Sequence, residues 1–446
     1  MTRPIGIDLF SGAGGLSLGF EQAGFDVRAA AEIDPVHAAV HKFNFPNCAV
    51  LARSVVGLTA AEIREAAALG PSDRVDVVFG GPPCQGFSMI GHRVLDDPRN
   101  RLVHEFVRLV HELDANYFLF ENVKGLTVGK HRAFLDELVT AFRNVGYDVA
   151  LPWQVLDAAD FGVPQHRERL ILLGARRGLP LPVYPLPTTR PADRLPGLQD
   201  LPVGPSCLDA LDDLPDADAF EVLDLTDAVR TVAYKAPSRY ASEMRGLSNN
   251  AWHYGYPRKW DPGLMTSSWR TEHTPVSQAR FAATRPGQTE PISRFYKLRP
   301  DGLSNTLRAG TDGARGAFTS PRPIHYARPR CVTVREMARL HGFPDWFRFQ
   351  WTKWHGARQI GNAVPPPLAR AVAAEIVRAL GVEPKRQRKA MALGAVDLLY
   401  MGMSEAARHF GVPSPPSKRD RKSGARKRSQ RETEEARLAA LAECRG

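Results

Sequence analysis

Cys84 stands in the loop Gly80-Gly81-Pro82-Pro83-Cys84-Gln85-Gly86-Phe87-Ser88, directly after the apolar run Val75-Asp76-Val77-Val78-Phe79. The run predicts a buried strand. Two glycines let the backbone turn sharply, and two prolines fix φ and keep the loop from becoming helical. A thiol is thus delivered at the carboxyl end of a strand, where α/β enzymes keep their chemistry; a structural cysteine, which would more often sit within an apolar run, is the alternative. A carboxylate follows at Glu121, at the end of the apolar run Tyr117-Phe118-Leu119-Phe120. Desolvation there should raise its pKa, so that it could donate a proton near neutrality; an ordinary strand-end carboxylate in solvent is the alternative. Gln165-His166-Arg167-Glu168-Arg169 opens a further strand with two arginines two apart, hence on one face. That face suits an anion or a base carbonyl, or else a surface salt-bridge ladder.

A second constellation lies at the N-terminus. Asp8-Leu9-Phe10-Ser11-Gly12-Ala13-Gly14-Gly15-Leu16-Ser17-Leu18-Gly19-Phe20 reads as a strand entering a glycine-rich turn and then a helix. Such a turn lets a nucleotide-like ligand approach the backbone, although Ser17 breaks the dinucleotide fingerprint. Glu32, at the end of the next strand, is placed to accept both hydroxyls of a ribose. A tight turn that merely packs helix on strand is the plainer reading.

The elements that must position these groups alternate along residues 1–176. Strands are expected at Ile5–Phe10, Val27–Ile33, Val75–Phe79, Tyr117–Glu121 and Arg169–Leu173, with helices at Arg101–Leu113 and Ala133–Val145. Alternation of this kind implies an α/β fold with a doubly wound, mostly parallel sheet. Residues 177–330 are rich in Pro, Gly and Thr and predict a second, smaller, loop-rich domain. Helical patterning returns in 331–383, at Val334–His341 and Pro366–Leu380, the latter with a proline-led, alanine-rich start. Residues 384–446 form a basic tail around the apolar island Met391–Val412.

Composition narrows the class further. The net charge is +11, and the tail contributes +8 of it through fifteen Lys/Arg against seven Asp/Glu. Such a tail could attract phosphates without regard to sequence, or could simply be solubilising. Five scattered cysteines without a Cys-x-x-Cys pair argue against a disulfide framework and a zinc site; no metal is expected. No run is long enough to span a membrane, and a strand begins too early to leave room for a signal peptide, so a cytoplasmic location away from membranes is expected.

Taken in order, these pieces resemble the cytosine-C5 DNA methyltransferase family, the bacterial enzymes that depend on S-adenosylmethionine. Asp8–Phe20 is similar to the family's cofactor motif, Gly80–Ser88 to its nucleophile loop, Glu121-Asn122-Val123 to its acid motif and Gln165–Arg169 to its arginine motif. Arg335-Glu336-Met337-Ala338-Arg339-Leu340-His341-Gly342-Phe343-Pro344 and Gly361-Asn362-Ala363-Val364-Pro365 match its two closing motifs. The resemblance spans roughly residues 4 to 380 and implies a Rossmann-like methyltransferase fold with a target-recognition domain at 177–330.

It implies Cys84 as the nucleophile, Glu121 as the proton donor to cytosine N3, Arg169 on the base's O2, and Arg167 supporting Arg169 or a phosphate. Gln85, Ser88 and Thr306 would contact the substrate; Thr306 lies in Ser304-Asn305-Thr306-Leu307, similar to the family's Thr-Leu pair near the flipped base. Phe10, Gly12, Gly14, Glu32, Leu102, Asn362 and Val364 would line the S-adenosylmethionine pocket. Two positions depart from the family pattern: Ile33 follows the ribose acid where a tryptophan is frequent, and Ser54-Val55 occupies the place of an adenine-binding Asp. The implied partner is double-stranded DNA, with a cognate restriction nuclease or other defence protein alongside, and the implied state is a monomer.

Trp252-His253-Tyr254-Gly255-Tyr256-Pro257-Arg258-Lys259-Trp260 interleaves aromatic and basic residues, as a nucleic-acid face or as ordinary loop packing would. Ser404–Val412 looks like the first half of a helix-turn-helix that Pro413, Pro415 and Pro416 cut short. His37 and His41 lack the partners of a metal site. Competing activities are a tRNA cytosine methyltransferase, against which the absence of a Cys-Phe-Thr signature counts, and an inactive DNA-binding relative, against which the intact Cys84, Glu121 and Arg169 count. A nicotinamide dehydrogenase would leave the Pro-Cys loop unexplained.

Overall fold

Alternate residues along the central strands divide between two apolar layers. The computed structural model describes residues 3–83, 100–127, 132–195, 200–311 and 319–413. It puts Val77, Phe79, Tyr117, Leu119, Ile171 and Leu173 in one layer and Val78, Phe118, Phe120, Leu170 and Leu172 in the other. Both faces of these strands are covered, which is why they read as unbroken apolar runs.

The first half runs β1 (Ile5–Leu9), α1 (Gly15–Ala23), β2 (Asp26–Ala31), α2 (Pro35–Asn44), β3 (Ala49–Leu51), α3 (Ala60–Ala66), β4 (Val77–Gly80), α4 (Arg101–Glu112), β5 (Tyr117–Val123), α5 (Arg132–Asn144), β6 (Tyr147–Val149), β7 (Gln154–Asp157) and β8 (Glu168–Arg176). These strands form one sheet in the order β3-β2-β1-β4-β5-β8-β6, with β7 also paired to β8. The pairs among β1 to β5 are parallel, whereas β5, β6 and β7 all run antiparallel to β8. Strand order reverses between β1 and β4, so the ligand crevice of a doubly wound sheet falls at their carboxyl ends. Phe20 of α1 stacks on Phe79 on one face, and Phe142 of α5 stacks on Phe118 on the other, each pair with ring centroids 3.7 Å apart. The strands and helices read from periodicity are thus present, with small shifts at their ends.

The chain continues through α6 (Cys207–Leu211), β9 (Val229–Arg230), α7 (Arg239–Met244), β10 (Arg258–Lys259), β11 (Leu264–Met265), α8 (Pro275–Ala283), α9 (Val334–Leu340), α10 (Lys353–Asn362), α11 (Pro366–Ala379), β12 (Met391–Ala392) and α12 (Met403–His409). Elements from α6 to β11 are short, as the Pro- and Gly-rich composition dictates, whereas α11 is a full helix of 14 residues. A third apolar cluster joins Cys207, Leu211, Leu298 and Leu307 to Met337, Leu340, Phe343, Phe347 and Ile360, and also to Leu18 and Phe45 of the sheet half. The chain returns to the sheet through α11, whose Val372, Ala373 and Ile376 share the layer of Phe20 and Phe79.

Buried arginines tie this part together. Arg339 donates to Asp345 (2.6 and 2.7 Å) and to Asp213 (2.9 Å), while Arg335 reaches the carbonyls of Thr266, Pro344 and Phe347. Arg330 forks onto Glu336 at 2.8 and 2.9 Å, and Glu336 also caps α9 by accepting from the backbone N–H of Thr333. Although burial opposes it, the Arg330 guanidinium holds the Glu336 carboxyl down at about 2, against 4.5 ordinarily. A depressed carboxylate stabilises the fold fully above pH 4.5, and that contribution disappears as pH falls through about 2. Glu336→Gln, which keeps the shape and removes the charge, should therefore destabilise by about 3 kcal/mol at neutral pH. Urea unfolding of both proteins at several pH values checks this: the gap should narrow below pH 4.5.

Candidate active site

The carboxyl ends of β1, β4 and β5 meet at one edge of the sheet, and antiparallel β8 brings its amino end to the same edge. Val123 pairs with Arg169 and Glu121 with Ile171 across the β5–β8 ladder. Arg169 Nε lies 2.7 Å from Glu121 Oε1, and each side chain is only 12% exposed. Burial raises the Glu121 carboxyl above its usual 4.5, with the charges of Arg169 and Arg167 acting against it.

The stem of the Cys84 loop rests on this pair. Asn122 Nδ2 donates to the carbonyl of Pro82 at 2.9 Å. Gly81 sits so close that any Cβ there would clash with Glu121 Oε2. The loop's second glycine is therefore required by close approach to the carboxylate. Cys84, Gln85 and Ser88 lie outside the described residues.

Arg167 is 1% exposed and donates to the carbonyls of Leu307 (3.0 Å) and Gly361 (2.7 Å). Burial and the neighbouring Arg169 oppose its charge, and Glu121 offsets them. So deep a guanidinium is committed to backbone carbonyls rather than offered to a DNA phosphate. Beside it, Gln165 accepts from the Leu307 N–H at 3.0 Å, and its amide donates to His341 Nδ1 at 3.0 Å. His341 Nε2 in turn donates to the carbonyl of Ala363 at 3.1 Å. Burial and Arg167 keep this imidazole neutral, which that pair of hydrogen bonds requires. The chain thereby clamps 304–307 and 361–364 against the arginine motif. Thr306 ends up exposed at the rim, its hydroxyl donating to the carbonyl of His166 at 2.8 Å. Neither Gln165 nor His341 was singled out from sequence, although both sit within the quoted motifs.

The glycine turn follows β1. Phe10 takes φ +67°, a left-handed conformation that costs a bulky residue about 1–3 kcal/mol and clusters at ligand clamps. Its N–H and that of Ser11 are held by the Ala31 carbonyl at 2.9 and 3.1 Å. Gly12 (φ +55°) and Gly14 (φ +104°) complete the turn, and above Gly12 the space where a Cβ would stand is empty. Glu32 is half-buried and accepts from Gly12 N and Asp34 N, each at 2.8 Å. Burial raises its carboxyl, with His37 and these N–H groups pulling the other way. Both oxygens keep lone pairs for further donors. Next to it Ile33 is 65% exposed.

Val364 is buried where the chain passes over the start of α1, its carbonyl against Gly15. Asn362 is exposed at the end of α10, and Leu102 is half-buried at the start of α4. Beneath the turn lies a group that periodicity could not find. Ser17 donates to the fully buried Asp8 at 2.6 Å and sits 3.0 Å from His41 Nε2. Burial lifts Asp8 to about 8 and lowers His41 to about 3. Among the described residues no group of three His, Cys, Asp or Glu side chains could hold a metal, and no helix is long and apolar enough to cross a membrane.

A Rossmann-like sheet with a reversed last section, and a Glu–Arg pair at the stem of a Pro-Cys loop, agree with the methyltransferase class that the motifs resemble. The family model of the C-5 cytosine-specific DNA methylases matches residues 5–378, and the chain belongs to that family as a DNA (cytosine-5)-methyltransferase. It is 58% identical over 414 residues to the Type II methyltransferase M.XorII of Xanthomonas oryzae pv. oryzae, covering 93% of this chain and 94% of that one. The Type II methyltransferase M.AgeI of Thalassovita gelatinovora is 33% identical, with 83% of this chain and 98% of that one covered. Among solved structures, a prophage-encoded E. coli protein assigned as a DNA modification methyltransferase superposes with a TM-score of 0.66 at 32% identity, covering 85% of this chain and all of that one.

Proposed function

We propose that this enzyme methylates one cytosine within a short DNA sequence, through a covalent Cys84 adduct and with S-adenosylmethionine as donor. The observation that carries this reading is the buried Glu121–Arg169 pair, 2.7 Å apart, against the stem of the Cys84 loop. Cytosine C5 is too weak a nucleophile to attack a methyl donor unaided. Cys84, as thiolate, forms a bond to C6 while Glu121 gives its proton to N3, and the electron pair of the C5–C6 double bond becomes available at C5. Arg169 donates to the base's O2, and Arg167 holds the surrounding backbone. S-adenosylmethionine, when bound, supplies an electrophilic methyl group. Loss of the C5 proton to solvent base then restores the double bond as Cys84 departs as thiolate and Glu121 recovers the N3 proton.

The turn fits that donor. The open space over Gly12, the strained Phe10 and the spare lone pairs of Glu32 suit a ribose-bearing ligand, with Phe10, Gly12, Gly14, Leu102, Asn362 and Val364 around it. Ile33 would offer an aliphatic face to the adenine. The target base must leave the duplex to reach Cys84, with Gln85, Ser88 and Thr306 at the rim around it. Residues 177–330 would read the DNA sequence, and the basic residues beyond 413 would add non-specific attraction. Similarity to Type II methyltransferases supports a place in restriction-modification, protecting DNA from a cognate nuclease.

Bisulfite sequencing of genomic DNA from a methylation-free bacterial host tests the whole reading. Expression of this chain should produce 5-methylcytosine at one short recurring motif, and the Cys84→Ser variant should produce none. Absence of signal from well-folded wild-type protein would overturn it.

A further inference from the structure

The matched family region ends at residue 378, yet the chain remains on the body to Pro413. Pro384 packs on Gly24 at the end of α1, where a Cβ on the glycine would stand 2.6 Å away. Arg386 donates to the carbonyl of Asn249 and to the side chain of Asn250, at 2.8 and 2.7 Å. β12 then pairs in parallel with β10, Arg258 opposite Met391 and Lys259 opposite Ala392. Arg258 is itself locked by a buried fork onto Glu21 of α1, at 2.9 and 2.8 Å. Gly394 donates its N–H to the Phe43 carbonyl at 2.8 Å, and its missing Cβ would lie 2.8 Å from Phe43 Cα. A short 3-10 turn, Val396–Leu399, and then α12 pack along α2.

This course ends under the glycine turn. Leu398 and Leu399, 5% and 1% exposed, bury against Ala13, Ala39, Val40 and Phe43. Ala13 lies between Gly12 and Gly14, which have no side chains with which to fix their own conformation. The turn therefore depends on neighbours for its shape, and its one intervening side chain rests in a cluster that the C-terminal segment completes. The Leu399 carbonyl, accepting from Trp351 N at 3.2 Å, anchors the far side.

We propose that residues 384–413 are a strap that preorganises the cofactor turn, with Leu398 and Leu399 as positioning residues for S-adenosylmethionine. The proposal rests on the reading that this cofactor occupies the turn. α12, whose sequence looks like half of a helix-turn-helix, serves here as the strap's clasp on α2.

The test is equilibrium binding of S-adenosylmethionine by calorimetry, together with steady-state kinetics on DNA. The full chain carrying Leu398→Ala and Leu399→Ala should bind the cofactor about tenfold more weakly, the scale of a lost preorganising contact. Its KM for cofactor should rise in step while kcat at saturation stays near wild type. The full chain carrying Leu398→Met and Leu399→Met, which refills both volumes, should bind as the wild type does, and truncation after Pro413 should leave binding unchanged. Should the double variant lose its folded thermal transition, Gly394→Ala decides the matter, because it lifts the strap from Phe43 and leaves both leucines intact. Wild-type cofactor affinity in a folded strap variant, or a fall in kcat without a rise in KM, would overturn the strap. Failure of the wild-type chain to bind S-adenosylmethionine would instead remove the reading on which it rests.

Discussion

Alanine at position 84 is expected to lower methyl transfer to DNA by on the order of 10⁵-fold or more, the scale of losing a covalent nucleophile. Without the thiolate nothing adds at C6, and C5 is never activated. Binding of S-adenosylmethionine should be unaffected, because the turn that would hold it follows β1 while Cys84 follows β4. Single-turnover assays with labelled cofactor measure the first expectation and calorimetry the second. Substantial methylation by Cys84→Ala, or loss of cofactor binding with the fold intact, would count against the assignment. A mechanism-based probe sharpens the test: a cytosine analogue unable to lose its C5 substituent should trap wild-type protein on DNA covalently, and Cys84→Ala should not be trapped.

The second large effect belongs to Glu121. Glu121→Gln keeps shape and polarity but cannot supply an acidic proton, and should cost about 10²–10⁴ in kcat/KM. Its signature is in the pH profile. Burial places the carboxyl above 4.5, so the donor form persists to higher pH than in a solvent carboxylate and is lost as pH rises through the shifted value. Activity should show an alkaline limb from Glu121 that is missing from the residual activity of the glutamine variant. Because Arg169 loses its charged partner in that variant, thermal unfolding should be followed alongside. A drop in rate with an unchanged pH profile would assign Glu121 to holding Arg169 alone.

The strands of the sheet were legible because both of their faces are buried, which leaves β4, β5 and β8 as apolar runs that periodicity cannot miss. β3, β6 and β7 were not. They are three or four residues long, lie toward the sheet's edges and carry half-exposed positions, so their apolar signal is too short to stand out. The C-terminal segment was ambiguous in another way. Its basic composition left open whether residues from 384 are ordered, and its apolar island, Met391–Val412, is what pins 384–413 to α2 and β10.

Sequence alone singled out the groups to which the chemistry is assigned in the proposed mechanism. A cysteine after Pro-Pro, a carboxylate ending an apolar strand and a glycine turn each declare themselves locally, since turn chemistry and desolvation act within a few residues. Tertiary structure decided how those groups meet. In an all-parallel sheet, Glu121 at the end of β5 and Arg169 at the start of β8 would stand at opposite edges. Reversal of β8 brings them to 2.7 Å, and no local pattern encodes that reversal, because the direction of a buried strand depends on the connection that precedes it. The same holds for Arg167, whose carbonyl partners at Leu307 and Gly361 are 140 and 194 residues away along the chain. Such contacts are chosen by packing, where a buried guanidinium must find acceptors wherever the fold supplies them.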